Sequence, residues 1–189
     1  MTAPTTAAPT TGAAAPPRVV GLDLSLAATG IARSDSTLTT VNTTKATGDQ
    51  RLLVIERHVA EAIGVWHEYP KPHLAVIEDL PTHAHSSGIT GMVHGVIRVV
   101  LMRSGVPYAL VPPATLKKYA TGKGNATKAD MRMALFQRAG LDLRDDNQVD
   151  AWWLRAAGLD HLGHPPVNLP KAQREALAKV AWPQAVTPC

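Results

Sequence analysis

Three carboxylates lie where a folded chain normally puts hydrocarbon. Asp23 sits inside the apolar run VVGLDL (residues 19–24), Glu78 closes the run HLAVIED (residues 73–79), and Asp150 is followed directly by Ala151, Trp152 and Trp153. An ionised carboxylate in such a setting is costly unless it is paired, hydrogen-bonded or bound to a metal. Each one alone reads as a satisfied structural acid. Three that can converge at one sheet edge read as a site, and oxygen ligands of this kind suit Mg2+ or Mn2+.

The pattern around the acids sets the architecture. Residues 18–35 read as strand, turn, strand, and the Thr- and Val-rich residues 37–44 as a third strand. Leu52, Ile55, Val59, Ile63 and Trp66 recur at three and four, which predicts an amphipathic helix over 49–67, ended by Pro70 and Pro72. Residues 73–79 follow as a buried strand, 89–103 as a helix closed by Gly105, and 106–111 as a fifth strand. A short helix over 114–119 precedes the loop GKGNATK, where Thr127 and Asp130 form a capping-box pattern for the next helix. A helix from Asp145 or Asp146 to about His161 carries Asp150, and residues 171–181 form a further helical stretch. The order β-β-β-α-β-α-β-α-α implies an α/β fold, a mixed five-stranded sheet with helices on both faces. Right-handed crossovers would set the first and fourth strands side by side.

The 189 residues fit one domain with a full-sized core. Residues 1–17 hold Thr, Ala, Pro and Gly with almost nothing to bury, so a disordered tail is expected there. The folded domain is expected over 18–163, with a helical extension over 164–189. No apolar run approaches the roughly 20 residues of a membrane helix, so no membrane role is expected. The tail is not a secretory signal, and a single Cys, Cys189, excludes an internal disulfide framework. A reducing, cytoplasmic setting is the expectation.

Net charge is +4, and its placement says more than its size. Lys117, Lys118, Lys123, Lys128, Arg132 and Arg138 lie between Glu78 and Asp150, a density that suits a polyanionic partner. Alone, such a run reads as a solvated helix face. His83 and His85 lack companion ligands for zinc and read instead as substrate contacts bordering the site. Trp152 and Trp153 read as core or interface aromatics.

Four segments together resemble the RuvC-type Holliday junction resolvases of the RNase H-like superfamily: VVGLDLSLAATGIA, AVIEDL, LKKYATGKGNATKADM and DDNQVDAWWL, in the family's order and spanning roughly residues 18–163. The style of the chain resembles phage or actinobacterial members. The resemblance implies an RNase H-like fold and a Mg2+-dependent homodimeric endonuclease acting on four-way junctions, with two ions and Mn2+ as a substitute. Two ions roughly 3.5–4 Å apart suit phosphodiester cleavage, one near the attacking water and one near the leaving oxygen. By that resemblance Asp23, Glu78 and Asp150 fall on catalytic, metal-binding acids, and Lys117 and Lys128 on DNA-contacting lysines. Lys118 and Lys123 extend the same basic surface. The fourth acid of the family falls on Asn147. Asp146, one residue earlier, also shares a helix face with Asp150, and its charge favours it as the ligand. The aromatic wedge of the family is missing after Glu78, where Asp79, Leu80 and Pro81 stand. The helix over 89–103 carries more apolar surface than one sheet face covers, which marks it as the dimer contact. Other readings are a flap or other branched-DNA nuclease, a branched-DNA-binding protein with an impaired site, and an actin-like ATPase. The ATPase needs two lobes around ATP, for which the chain is too short.

Overall fold

The computed structural model describes residues 15–66, 70–80 and 87–184. The first fourteen residues of the expected tail, and His83 and His85, lie outside them. Strands β1 (Val19–Asp23), β2 (Ala28–Ala32), β3 (Leu38–Asn42), β4 (Leu74–Glu78) and β5 (Tyr108–Val111) form one sheet in the order β3-β2-β1-β4-β5. The first three make an antiparallel meander, and β4 and β5 add in parallel. Each parallel neighbour needs a crossover, supplied by α1 (Gln50–Ala62) and α2 (Ser87–Arg103). The first and fourth strands therefore do lie side by side.

Side-chain alternation divides the sheet into two dry faces. Val20, Leu22, Ile31, Ala75 and Ile77 face α1 and α2, meeting Ile55, Val59, Ile63, Val93, Ile97 and Leu101. Val19, Leu74, Val76, Ala109 and Val111 face the other way, toward Trp153, Ala156 and Ala157 of α5 (Asp146–His161). Burial of each such Val, Leu or Ile contributes about 1.5–3 kcal/mol. Outside α5 pack α3 (Pro113–Thr121), α4 (Lys128–Ala139) and the C-terminal segment with α6 (Lys171–Arg174) and a 3-10 turn (Glu175–Lys179). Trp152 and Trp153 are buried in this core edge to face, 4.9 Å apart. The expected capping box is present: Asp130 N–H donates to the Thr127 hydroxyl at 3.2 Å and Thr127 N–H to the Asp130 carboxylate at 2.8 Å.

Helix α5 lies unusually close to the sheet. A Cβ on Gly21 would stand 2.1 Å from the Ala151 carbonyl oxygen, and one on Gly30 would stand 2.1 Å from the Asn147 carbonyl oxygen. Helix backbone thus rests on strand backbone, and only glycine leaves room. The obstacle is main chain, so no rotamer change relieves it. Gly21→Ala and Gly30→Ala are each expected to destabilise the fold by at least the ~1–3 kcal/mol of an overpacked core. Urea unfolding reads this directly, and a wild-type midpoint for either variant would contradict the close approach.

Candidate active site

The parallel register of β1 on β4 pairs Leu22 with Ile77. One step further, at the carboxyl ends of both strands, come Asp23 and Glu78. Leu22 and Ile77 face α1 and α2, so alternation turns both acids to the α5 side. Asp23 also pairs with Gly30, the residue on which α5 rests at Asn147. One turn along α5, Asp150 comes to the same edge. The β1–β2 turn is fixed locally: the Ser25 hydroxyl donates to the Ala28 carbonyl at 2.8 Å and the Thr29 hydroxyl to the Ser25 carbonyl at 2.7 Å.

These acids feel burial and one another. Asp23 is pushed up to about 7, first by burial and then by Asp150, while Lys128 pulls it down. Glu78 is pushed up to about 8 by burial, Asp23 and Asp150, against Lys117 and Lys128. Asp150 is pushed up to about 6 by burial and by Asp146, again against Lys128 and Lys117. The three predicted acids thus share one electrostatic neighbourhood, and two of the predicted lysines belong to it. Lys118 and Lys123 are exposed on the same helix and loop, without a resolved influence on the three acids.

Asp146 meets the site through its cations. Lys128 Nζ lies 3.2 Å from its Oδ2 and Arg132 Nε lies 3.3 Å from its Oδ1. The Arg132 contact is an ion pair without hydrogen-bond alignment, and Asp146 Oδ1 is buried with no hydrogen-bond partner. Asn147 turns elsewhere: its N–H and its side-chain amide both donate to Asp145 Oδ1, each at 2.9 Å. Asp145 in turn accepts the Thr40 hydroxyl at 2.6 Å and helps raise Asp23. Asp145 is the neighbour that motif reading did not place at the site, and Arg132, read as one of the basic run, joins it through Asp146. Asp145 reads in sequence only as one of two starts for α5, and the tie to Thr40 spans 105 residues.

Among the described residues, no three His, Cys, Asp or Glu side chains stand close enough to hold a metal ion as placed. The donor set nevertheless fits a hard divalent cation. It is all carboxylate oxygen, mutually repelling, and includes the orphaned Asp146 Oδ1. A cavity of about 580 Å3 opens elsewhere, at the opposite end of the strands, lined by Arg18, Arg33, Asp35 and Glu61. The carboxylates lie instead at the carboxyl ends of the interior strands β1 and β4, beside α5.

No family model matches the chain. Similarity to individual proteins is clear. The chain is 27% identical over 169 residues to the crossover junction endodeoxyribonuclease RuvC of Saccharopolyspora erythraea, covering 85% of this chain and 84% of that one. It is 30% identical over 138 residues to the RuvC of a Nocardioides species, covering 67% of this chain and 76% of that one. The chain belongs to the RuvC family. Its fold agrees: the structure of Thermus thermophilus RuvC in complex with Holliday junction substrate superposes with a TM-score of 0.63 at 18% identity, covering 80% of this chain and 99% of that one. A second Thermus thermophilus RuvC structure gives 0.61 at 18% identity. The RuvC relatives make the mixed five-stranded sheet the expected RNase H-like fold.

Within this RuvC-family site the raised carboxyls fix the sign of a pH effect. The ordinary values for Asp23, Glu78 and Asp150 are 3.8, 4.5 and 3.8, against about 7, 8 and 6 in the fold. Between these limits the folded chain holds protons that the unfolded chain has lost, so stability falls as pH rises. His73, His94 and His161, lowered by burial, act in the opposite sense. In chelator, Asp23→Asn is therefore expected to lose less Tm, or gain more, than the wild type from pH 5 to pH 8.5, and an unaltered slope in the variant would contradict the electrostatic account.

Proposed function

We propose that the chain is a divalent-metal-dependent endonuclease that resolves four-way DNA junctions. The observation that carries this reading is the shared electrostatic neighbourhood of Asp23, Glu78 and Asp150, at the carboxyl ends of β1 and β4 beside α5, with Lys117 and Lys128. Asp23, Glu78, Asp146 and Asp150 would hold two Mg2+ ions, with Mn2+ able to replace them. When bound, such ions activate water for attack on a phosphodiester and stabilise the leaving oxygen. Asp23 lies on β1, which pairs with β4 and packs against α5, and it would hold metal together with Glu78 and Asp150. Lys117 and Lys128 offset the acids' charge and give an incoming phosphate a cationic approach; Lys118 and Lys123 extend that approach along the backbone. Asp146 anchors Lys128 and Arg132 until a phosphate competes for them.

A four-way junction has two strands to cut, and a two-fold dimer offers two sites to a two-fold substrate. Helix α2 supports a homodimer. Val93, Ile97 and Leu101 are spent on the core, while Ile89, Met92, Val99 and Met102 remain exposed beside them. No helix among the described residues is long and apolar enough to cross a membrane, in keeping with action on DNA in the cytoplasm.

Asp23→Asn, Glu78→Gln and Asp150→Asn are each expected to slow nicking of an immobile four-way junction by on the order of a thousandfold, the scale of losing one fixed active-site charge. Junction affinity should survive, because it comes from the lysines. Asp146→Ala should cost more activity than Asn147→Ala, since a carboxylate holds a divalent ion better than an amide. Near-wild-type nicking by any of the first three would remove the site assignment. Light scattering on the same samples should give twice the 20.1 kDa chain mass, and a monomer on the junction would remove the paired cut.

A further inference from the structure

The C-terminal segment lies behind the two helices that bring charge to the site. Leu169, Leu177 and Val180 are buried in the same core as Tyr119 and Trp153. Between them Gln173, only 7% exposed, packs against Gly122, with its Cγ 3.8 Å from where a Cβ would stand. Its Nε2 donates to the Tyr119 carbonyl at 3.1 Å. That carbonyl belongs to the last turn of α3, where helical donors run out. The Gly122 amide, at φ +85, turns back to Lys118 O at 2.8 Å, and the Lys123 amide goes to the Thr121 hydroxyl at 3.1 Å. Gln173 supplies the donor that the helix end lacks.

The next residue grips the other helix. Arg174 Nε donates to both carboxylate oxygens of Asp160 on α5, at 2.9 and 3.0 Å, and its Nη2 adds a further bond to Oδ1. The Tyr119 hydroxyl donates to the same carboxylate at 3.3 Å. Asp160 is 6% exposed, and Arg174 is its one ion-pair partner among the described residues. Two consecutive side chains therefore join the end of α3 to the back of α5. From that end of α3 the chain passes through residues 122–126 to Thr127, which starts α4 at Lys128. Lys117 and Lys128 flank this passage, and both act on the carboxylates.

We propose that residues 170–180 form a positioning strap, in which Gln173 sets the pose of the basic α3–α4 passage and thereby the affinity for DNA, without touching DNA itself. This rests on the nuclease reading above. Core packing alone would make Gln173 a matter of stability; the strap makes it a matter of binding.

The test compares Gln173→Met, which keeps volume and removes the donor, with Leu177→Ala, which removes a core contact of the same segment and keeps the Gln173 hydrogen bond to the Tyr119 carbonyl. Gln173→Met is expected to raise Kd for a four-way junction about fivefold, within the range of an unmade buried hydrogen bond. The salt slope should become shallower, amide exchange over residues 122–126 faster, and kcat at saturation should stay within about twofold, as for a loss of binding alone. Leu177→Ala is expected to lower Tm with Kd unchanged. Gln173→Leu serves equally if the Met variant does not fold. Wild-type Kd in a folded Gln173 variant would overturn the strap alone, as would equal weakening by Leu177→Ala at matched loss of Tm. A wild-type chain that binds no junction would overturn the functional reading and the strap with it.

Discussion

The approach of α5 to the sheet is the constraint on which the site depends. Gly21 and Gly30 let the Ala151 and Asn147 carbonyls rest where side chains would otherwise stand. With ordinary residues there, α5 would ride higher, and Asp150 would move away from Asp23 and Glu78. Close packing thus creates an electrostatic problem, because it drives three carboxylates into partly dry surroundings beside one another. The protein offsets it in part with Lys117 and Lys128, which lie across the same edge. What remains is a demand for positive charge that a divalent cation meets well.

The cationic side is assembled with similar economy. Thr127 and Asp130 start α4 so that Lys128 and Arg132, one turn apart, both reach Asp146. Asp146 raises Asp150, and Lys128 lowers Asp23, Glu78 and Asp150 together. Acids and bases at this edge form one coupled set, so a change at any member shifts the proton affinity of the others.

Much of this was legible in the sequence. An acid in an apolar strand is conspicuous, and strand order follows from a meander followed by right-handed crossovers. The capping box needed no tertiary information, and α4 does start at Lys128. The glycine contacts were not legible, because nothing in the pattern of β1 and β2 shows what lies over Gly21 and Gly30 until α5 is in place. Asp145 was missed at the site, and the tie of Arg132 to Asp146 was not foreseen, for a related reason: these pairings with Thr40 and Asp146 are set by packing of separate elements. Residues 171–181 read as one helix, whereas only Lys171–Arg174 is α-helical before a 3-10 turn. The Gln173 and Arg174 contacts behind α3 and α5 left no periodic trace at all.

The fold presses the acids into a state that prefers protons until a divalent ion replaces them. Calorimetry of Mn2+ binding at pH 7, repeated in buffers of different ionisation enthalpy, counts the protons exchanged. With Asp23 at about 7 and Glu78 at about 8, binding is predicted to release protons, and Asp23→Asn to release fewer. Binding of Mn2+ with no proton release would contradict the account.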